Sequence, residues 1–138
     1  MTTLLLDTHV LVWLLGANER LAITAREEIE AAAAQSWVWV SAITPWEIGM
    51  LAASGRLFLS RDPLQWVEDA LALPGIKLAP LTPEIAVASA RLPRPSLPDP
   101  ADRIIVSTAR HLGARLVTAD RRLLRYARAG HLAALRAT

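Results

Sequence analysis

The sequence predicts an α/β fold in which helices cover both faces of a central, mostly parallel sheet of four to five strands. Short apolar segments with strand character alternate along the chain with longer segments of helical character. The first of them, over residues 3–7, contains the run Leu4-Leu5-Leu6, as expected of a central strand buried on both faces. Such alternation favours a parallel sheet, because parallel strands need crossover connections long enough to hold a helix.

Local signals define the elements of the first half of the chain. A helix begins at Thr8, carries apolar residues on one side and ends at Gly16. Tryptophan and valine alternate over residues 37–40, which favours a strand. A Thr N-cap, a proline and a glutamate in Thr44-Pro45-Trp46-Glu47 predict a helix start. The predicted elements of this half are a strand at 3–7, helices at 8–16 and 22–35, a strand at 37–40 and a helix from 44 to about 54.

The second half continues the alternation. Asp62-Pro63 and Thr82-Pro83 are typical helix starts, and Pro74-Gly75 ends a helix. Residues 93–98 form a stiff, proline-rich connection that is too short to separate two domains. The predicted elements are a helix at 62–73, a strand at 76–81, helices at 82–92 and from 99–102 to 112, a strand at 115–118, and a basic helix from 121 to about 137 that is broken near Gly130.

Length and composition predict one domain over residues 1–138. A chain of 138 residues that is 53% hydrophobic fits a single core. The longest uncharged stretch, residues 31–46, is too short and too polar to cross a bilayer, so no membrane partner is expected. No signal-peptide pattern opens the chain, and the absence of cysteine excludes disulfides and thiolate metal sites. A cytoplasmic location is therefore expected.

Four acids are predicted to share one edge of the sheet. Asp7 and Asp120 follow predicted strands, and Glu47 and Asp102 lie in the first turns of predicted helices. In a parallel sheet these positions meet at the edge where ligands bind in open α/β folds. Unpaired carboxylates raise one another's pKa, and a hard divalent cation such as Mg²⁺ or Mn²⁺ relieves that repulsion through oxygen ligands.

Each of these acids also has a purely structural interpretation as a helix cap. Asp7 and Asp120 could cap the helices that follow them, and Glu47 occupies the glutamate position of a capping box. Asp99 is interpreted mainly as an N-cap, and Asp102 could contribute to the same cap. A functional role is favoured because the predicted fold brings these acids to one edge of the sheet.

The charge is unevenly distributed along the chain. Residues 91–138 carry ten arginines and only three acids, whereas residues 1–90 are net acidic. Such a basic segment favours a polyanionic partner, although a solvated helical face in an arginine-rich protein explains it equally well. Carboxylates, a divalent metal and a basic surround together indicate a metal-dependent nuclease. The candidate phosphate-binding residues are Arg121, Arg122, Arg125 and Arg128.

Four motifs carry a resemblance to a known family. They are Leu4-Leu5-Leu6-Asp7-Thr8, Trp46-Glu47-Ile48, Asp99-Pro100-Ala101-Asp102-Arg103 and Thr118-Ala119-Asp120. In order and spacing they resemble PIN-domain ribonucleases, and over essentially its whole length the chain is similar to the VapC-type toxins of bacterial toxin–antitoxin pairs.

The resemblance implies a three-layer α/β/α domain, RNA cleavage dependent on Mg²⁺ or Mn²⁺, a homodimer and neutralisation by a small VapB-like antitoxin. It assigns metal binding and catalysis to Asp7, Glu47, Asp102 and Asp120. Supporting or substrate-contacting roles fall to Thr8, Asp99, Arg103 and Thr118. Two aromatic, apolar stretches, residues 37–46 and 57–66, are the predicted interfaces.

Other functions fit the sequence less well. A phosphatase with Asp7 as its nucleophile would need a second aspartate where His9 stands, and the glycine motif of a dinucleotide-binding domain is absent. A non-catalytic RNA- or protein-binding module on the same fold remains the alternative. His9, His111 and His131 share no ligand spacing and are interpreted as structural or surface residues.

Overall fold

The structure, a computed structural model, describes residues 2–138 of the chain. Within that range five parallel strands form one sheet in the order β3-β2-β1-β4-β5, with β1 at its centre. The strands are β1 (Leu4–Leu6), β2 (Val38–Ser41), β3 (Ile76–Ala79), β4 (Arg115–Thr118) and β5 (Ala134–Arg136). The helices are α1 (Thr8–Leu15), α2 (Ile23–Ala34), α3 (Thr44–Ala53), α4 (Pro63–Leu71), α5 (Pro83–Ser89), α6 (Pro100–Leu112) and α7 (Arg121–Arg128).

Helices cover both faces of this sheet. Leu4 and Leu6 of β1 point into one apolar core with buried residues of α1, α2, α3 and α4. Leu5 points the opposite way, into a second core with buried residues of α6 and α7. This alternation follows from the two-residue period of a strand and explains why all three leucines are buried. The predicted three-layer α/β/α architecture with a central parallel sheet is confirmed.

The predicted C-terminal helix is wrong beyond residue 128. The chain leaves the helical conformation before Gly130, whose φ of 92° favours glycine. It then returns to the sheet as β5, where Ala134 pairs with Leu116 and Arg136 with Thr118. Alanine, leucine and arginine favour helices, so local propensity gave the wrong element and tertiary pairing determined the result.

The apolar stretches leave several large side chains exposed. Phe58 is 92% exposed, Leu64 65% and Trp46 56%. By contrast, Trp37, Trp39 and Trp66 are partly buried against the two cores. Over residues 2–138, every helix is too short or too polar to cross a membrane.

Candidate active site

The site lies at the edge of the sheet where β1 and β4 end. These strands are neighbours, and the backbone N–H of Asp7 donates to the carbonyl of Val117 at 3.0 Å. The N-termini of α1, α3, α6 and α7 supply the remaining groups. The carboxylates of distant chain segments therefore reach one edge because the parallel topology brings their elements together there.

Asp7 is the most buried acid of the site. It is 5% exposed, and Oδ1 accepts the backbone N–H of Thr8 at 2.9 Å, so Asp7 does cap α1. Oδ2 accepts the hydroxyl of Thr118 at 2.7 Å. The same Thr118 oxygen accepts the backbone N–H of Asp120 at 3.0 Å. Capping of α1 therefore occupies only one oxygen of Asp7, because Oδ2 has a different partner.

Glu47 does not form the capping box that its position suggested. Its Oε1 accepts the hydroxyl of Thr8 at 2.5 Å, and Thr8 in turn lies 2.9 Å from the hydroxyl of Thr44. Thr44 is the first residue of α3 rather than its N-cap, and the preceding Ile43 makes no side-chain cap. The prediction of Thr44 as N-cap is therefore wrong. The buried hydroxyls of Thr44 and Thr8 instead hold Glu47 towards the β1 end of the site.

Asp99 and Asp102 at the start of α6 behave differently. Asp99 is exposed and accepts the backbone N–H of Ala101 at 2.9 Å, which confirms it as the N-cap. Asp102 is half-buried, and within residues 2–138 no protein group donates a hydrogen bond to its carboxylate. Asp102 is therefore not part of the cap.

Asp120 and Arg103 also have defined local partners. Asp120 caps α7 by accepting the backbone N–H groups of Arg122 and Leu123 at 2.8 and 3.4 Å. Oδ1 makes both contacts, which leaves Oδ2 free of protein partners in the described chain. The Nε of Arg103 donates to the carbonyl of Leu97. Arg103 therefore ties the proline-rich connection to α6.

His9 lies in the site, although its spacing gave no reason to place it there. Its Nε2 accepts the backbone N–H of Ala119 at 3.0 Å. Because Nε2 is an acceptor, the proton of the neutral ring is on Nδ1, which lies 3.6 Å from Oδ2 of Asp7. The ring also packs edge-on against Trp13. His9 thus connects Asp7 to the loop that carries Asp120. The only signal in the sequence was its position two residues after Asp7.

The electrostatics of the site oppose ionisation of its acids. Burial raises the pKa of Asp7, against the lowering effects of His9, Thr118 and Thr8, and the charge of Asp120 raises it further. Burial also raises the pKa of Glu47, which the Thr8 hydrogen bond partly offsets. Each of these carboxylates is therefore less acidic than it would be in water.

Asp102 is strongly affected as well, although it is less buried than Asp7. Its pKa rises to about 7, first because of burial and then because of the charges of Asp99, Asp7, Asp120 and Glu47. In the described part of the chain, none of these five acids forms an ion pair with a lysine or arginine. The edge therefore concentrates acidic groups without a lysine or arginine to balance them.

The donor chemistry of this edge fits a hard divalent cation. Carboxylate and hydroxyl oxygens are the ligands that Mg²⁺ and Mn²⁺ prefer, and thiolates are absent. The acids of residues 2–138 do not form a ready-made cluster of three ligands. Asp102 and Oδ2 of Asp120 are nevertheless free of hydrogen-bond donors, and the mutual repulsion is of the kind a cation relieves.

Fold and site together define a class: a three-layer α/β/α domain with acids gathered at the carboxyl edge of a parallel sheet. Residues 4–129 match the PIN domain. The chain is also 38% identical over 123 residues to Ribonuclease VapC22 of Mycobacterium tuberculosis, an alignment that covers 89% of this chain and 91% of that protein. The chain belongs to the PIN domain family.

Solved structures agree with the fold. VapBC2 from Rickettsia felis, crystallised with a DNA fragment from its promoter, superposes with a TM-score of 0.69 at 14% identity, over 96% of this chain and 97% of that one. FitAcB from Neisseria gonorrhoeae gives a TM-score of 0.60 at 22% identity, over 96% of each chain. At these identities the likeness establishes the fold alone.

Proposed function

We propose that residues 1–138 form a single nuclease domain that hydrolyses RNA internally in the presence of Mg²⁺ or Mn²⁺, and that it is the toxin of a type II toxin–antitoxin pair. One observation carries the catalytic part of this proposal. Burial and the charges of acids from separate elements together raise the pKa of Asp102 to about 7, and no arginine or lysine of the described chain pairs with these acids. Such an arrangement is costly unless a cation or a reaction makes use of it.

Asp7, Glu47, Asp102 and Asp120 would hold the metal. When bound, it would supply Lewis acidity at the scissile phosphate and a more acidic attacking water. Thr118 keeps Oδ2 of Asp7 in place, and Thr8 does the same for Oε1 of Glu47. These hydroxyls fix carboxylate oxygens before any ligand arrives, which reduces the reorganisation that binding would need.

The choice of RNA as substrate rests on the relative from Mycobacterium tuberculosis and on the positive charge of α7. The Mycobacterium tuberculosis protein is named a ribonuclease, and it aligns with this chain over most of both lengths. The arginines of α7 begin directly after Asp120, so positive charge adjoins the acidic edge. This placement would attract the phosphodiester backbone of a nucleic acid to the site.

The toxin role rests on the resemblance to VapC-type toxins, on the VapC relative from Mycobacterium tuberculosis and on the exposed surface. A toxin–antitoxin complex from Klebsiella pneumoniae, at 22% identity and a TM-score of 0.57, shares the fold. The exposed Phe58, Leu64 and Trp46 would take part in contacts with a small VapB-like antitoxin and with a second copy of the chain. We place the protein in the cytoplasm, where it would meet both the antitoxin and RNA.

The test is cleavage of structured RNA by the purified protein, freed of any antitoxin, with Mg²⁺, with Mn²⁺ and with EDTA. We expect cleavage with either metal and none with EDTA. Cleavage that chelation leaves undiminished would refute the metal dependence. RNA binding without cleavage of any RNA in a total cellular pool, under every metal condition, would favour the non-catalytic binding module.

A further inference from the structure

A cavity of about 340 Å³ lies between the proline-rich connection and α7. Residues 95–98 form one wall, and Arg122, Arg125, Tyr126 and Ala129 form the other. Pro95, Pro98 and both arginines are exposed, so the cavity opens to solvent. Its volume is at the lower end of the range found for small-molecule sites.

The two walls of the cavity continue into the candidate active site. Arg122 donates its backbone N–H to Asp120, so the α7 wall starts at that acid. The other wall leads directly into Asp99 and α6, and the side chain of Arg103 binds the carbonyl of Leu97. One wall of the cavity therefore belongs to the helix that Asp120 caps, and the other wall immediately precedes the helix that carries Asp102.

The lining combines apolar and cationic groups. Pro95, Leu97 and Pro98 offer an apolar surface, and Leu97 itself is anchored in the core. The hydroxyl of Tyr126 donates to the carbonyl of Pro93 at 2.5 Å, which fixes the connection against α7. Within residues 2–138, neither Arg122 nor Arg125 forms an ion pair.

We propose that this cavity is a subsite for one nucleotide of single-stranded RNA next to the cleaved bond, with its base against the proline wall and its phosphate on Arg122 and Arg125. Arg125 lies five residues after Asp120, which is about 7.5 Å along a helix and close to the rise of two stacked nucleotides. Apolar stacking surface beside guanidinium groups suits a base and its phosphate. This subsite rests on the proposed ribonuclease function.

Binding of a fluorescein-labelled eight-nucleotide RNA in EDTA tests the subsite without any cleavage. Ala129→Leu fills the cavity without changing the charge, and we expect about tenfold weaker binding with an unchanged salt slope. Arg125→Ala should also weaken binding about tenfold and reduce the slope by about 0.7. The control for added bulk is Ala133→Leu, on an exposed loop residue outside the cavity. Arg128→Ala, at an α7 arginine that faces a different surface, is the comparison for general electrostatic attraction and should weaken binding less than Arg125→Ala.

Equal weakening by Arg125→Ala and Arg128→Ala, with native affinity in Ala129→Leu, would overturn the subsite and leave only general attraction to a basic helix. Native RNA affinity in all four variants would overturn it too, and would make the cavity a candidate protein-docking surface. A photo-crosslink from 4-thiouridine RNA to the native protein should map to residues 95–98 or 122–129. Crosslinks confined to other segments would contradict the proposal even if a variant failed to fold. Failure of the native protein to bind RNA at all would overturn the subsite, whereas the ribonuclease function itself stands or falls on cleavage in Mg²⁺ or Mn²⁺.

Discussion

The hydroxyl of Thr118 donates a 2.7 Å hydrogen bond to Oδ2 of Asp7, which joins the ends of two neighbouring strands. The same oxygen accepts the backbone N–H of Asp120. One buried hydroxyl therefore sets the position of two of the acids assigned to the site. Its removal should affect both at once.

Thr118→Val should destabilise the protein, because the substitution keeps the shape but removes the hydroxyl donor to Oδ2 of Asp7 and the acceptor of the Asp120 N–H. We expect a loss of about 1–3 kcal/mol in the free energy of unfolding, measured with urea in EDTA. Thr118→Ser retains the hydroxyl, so its free energy of unfolding should fall clearly less. Equal losses in the two variants would show that the methyl group, not the hydrogen bonds, matters.

Asp102 should make the metal-free protein less stable as the pH rises. Its pKa is about 7 in the folded protein, against 3.8 for a free aspartate, so the unfolded chain loses the proton first. The free energy of unfolding in EDTA should fall between about pH 4 and pH 7 and change little above that range. Melting temperatures of native protein and Asp102→Asn should therefore be similar near pH 4, with the variant the more stable at pH 8. Parallel melting curves across this range would contradict the raised pKa.

The affinity for metal should also depend on the protonation of Asp102, but it should increase with pH, whereas the stability of the metal-free protein decreases. Below about pH 7 a cation must displace the proton of Asp102, so Mn²⁺ affinity should increase from pH 6 to pH 8. Electron paramagnetic resonance of free Mn²⁺ measures this directly. In Asp102→Asn the affinity should be weaker and less dependent on pH, and an equally steep profile would assign the titration to another group.

His9 should act mainly through the loop before Asp120. His9→Gln places an acceptor near the position of Nε2 and should keep the Ala119 N–H bonded, whereas His9→Asn places a donor near Nδ1 and loses that acceptor. We expect the Asn variant to lose about 1 kcal/mol in urea unfolding and the Gln variant distinctly less. The reverse order would mean that contact with Asp7 is the more important one.

Phe58 tests the proposed self-association. With 92% of its surface exposed it contributes nothing to the core, so Phe58→Ser should fold normally. If Phe58 contacts a second copy, light scattering at micromolar concentration should show a dimer for the native protein and a larger monomer fraction for the variant. A native monomer under these conditions would refute the homodimer.

The periodicity of apolar residues and the helix-start signals were sufficient to predict those elements whose local sequence preference agrees with the fold. The buried run Leu4–Leu6 and the Asp99 cap of α6 are examples. These sequence signals failed to predict β5. Ala134–Arg136 is a short segment of helix-favouring residues, and its pairing with β4 is non-local.

The site shows the same division between local and non-local information. The topology was sufficient to expect the acids at one edge, but it could not distinguish a capping Glu47 from one held by Thr8, since that bond spans 39 residues. His9 was missed for the same reason, because its partner Ala119 lies 110 residues away.

The most direct test of the proposed metal site compares amide substitutions at the four proposed ligands with the same substitution at a helix cap. Asp7→Asn, Glu47→Gln, Asp102→Asn and Asp120→Asn keep the shape of each side chain and remove its charge. Asp99→Asn is the matched control, because asparagine caps a helix nearly as well as aspartate. Each protein is assayed for RNA cleavage in Mg²⁺ or Mn²⁺ and for its melting temperature in EDTA.

We expect the four ligand variants to lose cleavage while still unfolding cooperatively in EDTA, and Asp102→Asn to melt at or above the temperature of the native protein, because carboxylate repulsion is relieved. Asp99→Asn should keep much of its activity. Near-native cleavage by Asp7→Asn or Asp102→Asn would contradict the metal site, and complete loss in Asp99→Asn would show that the site includes this residue as well.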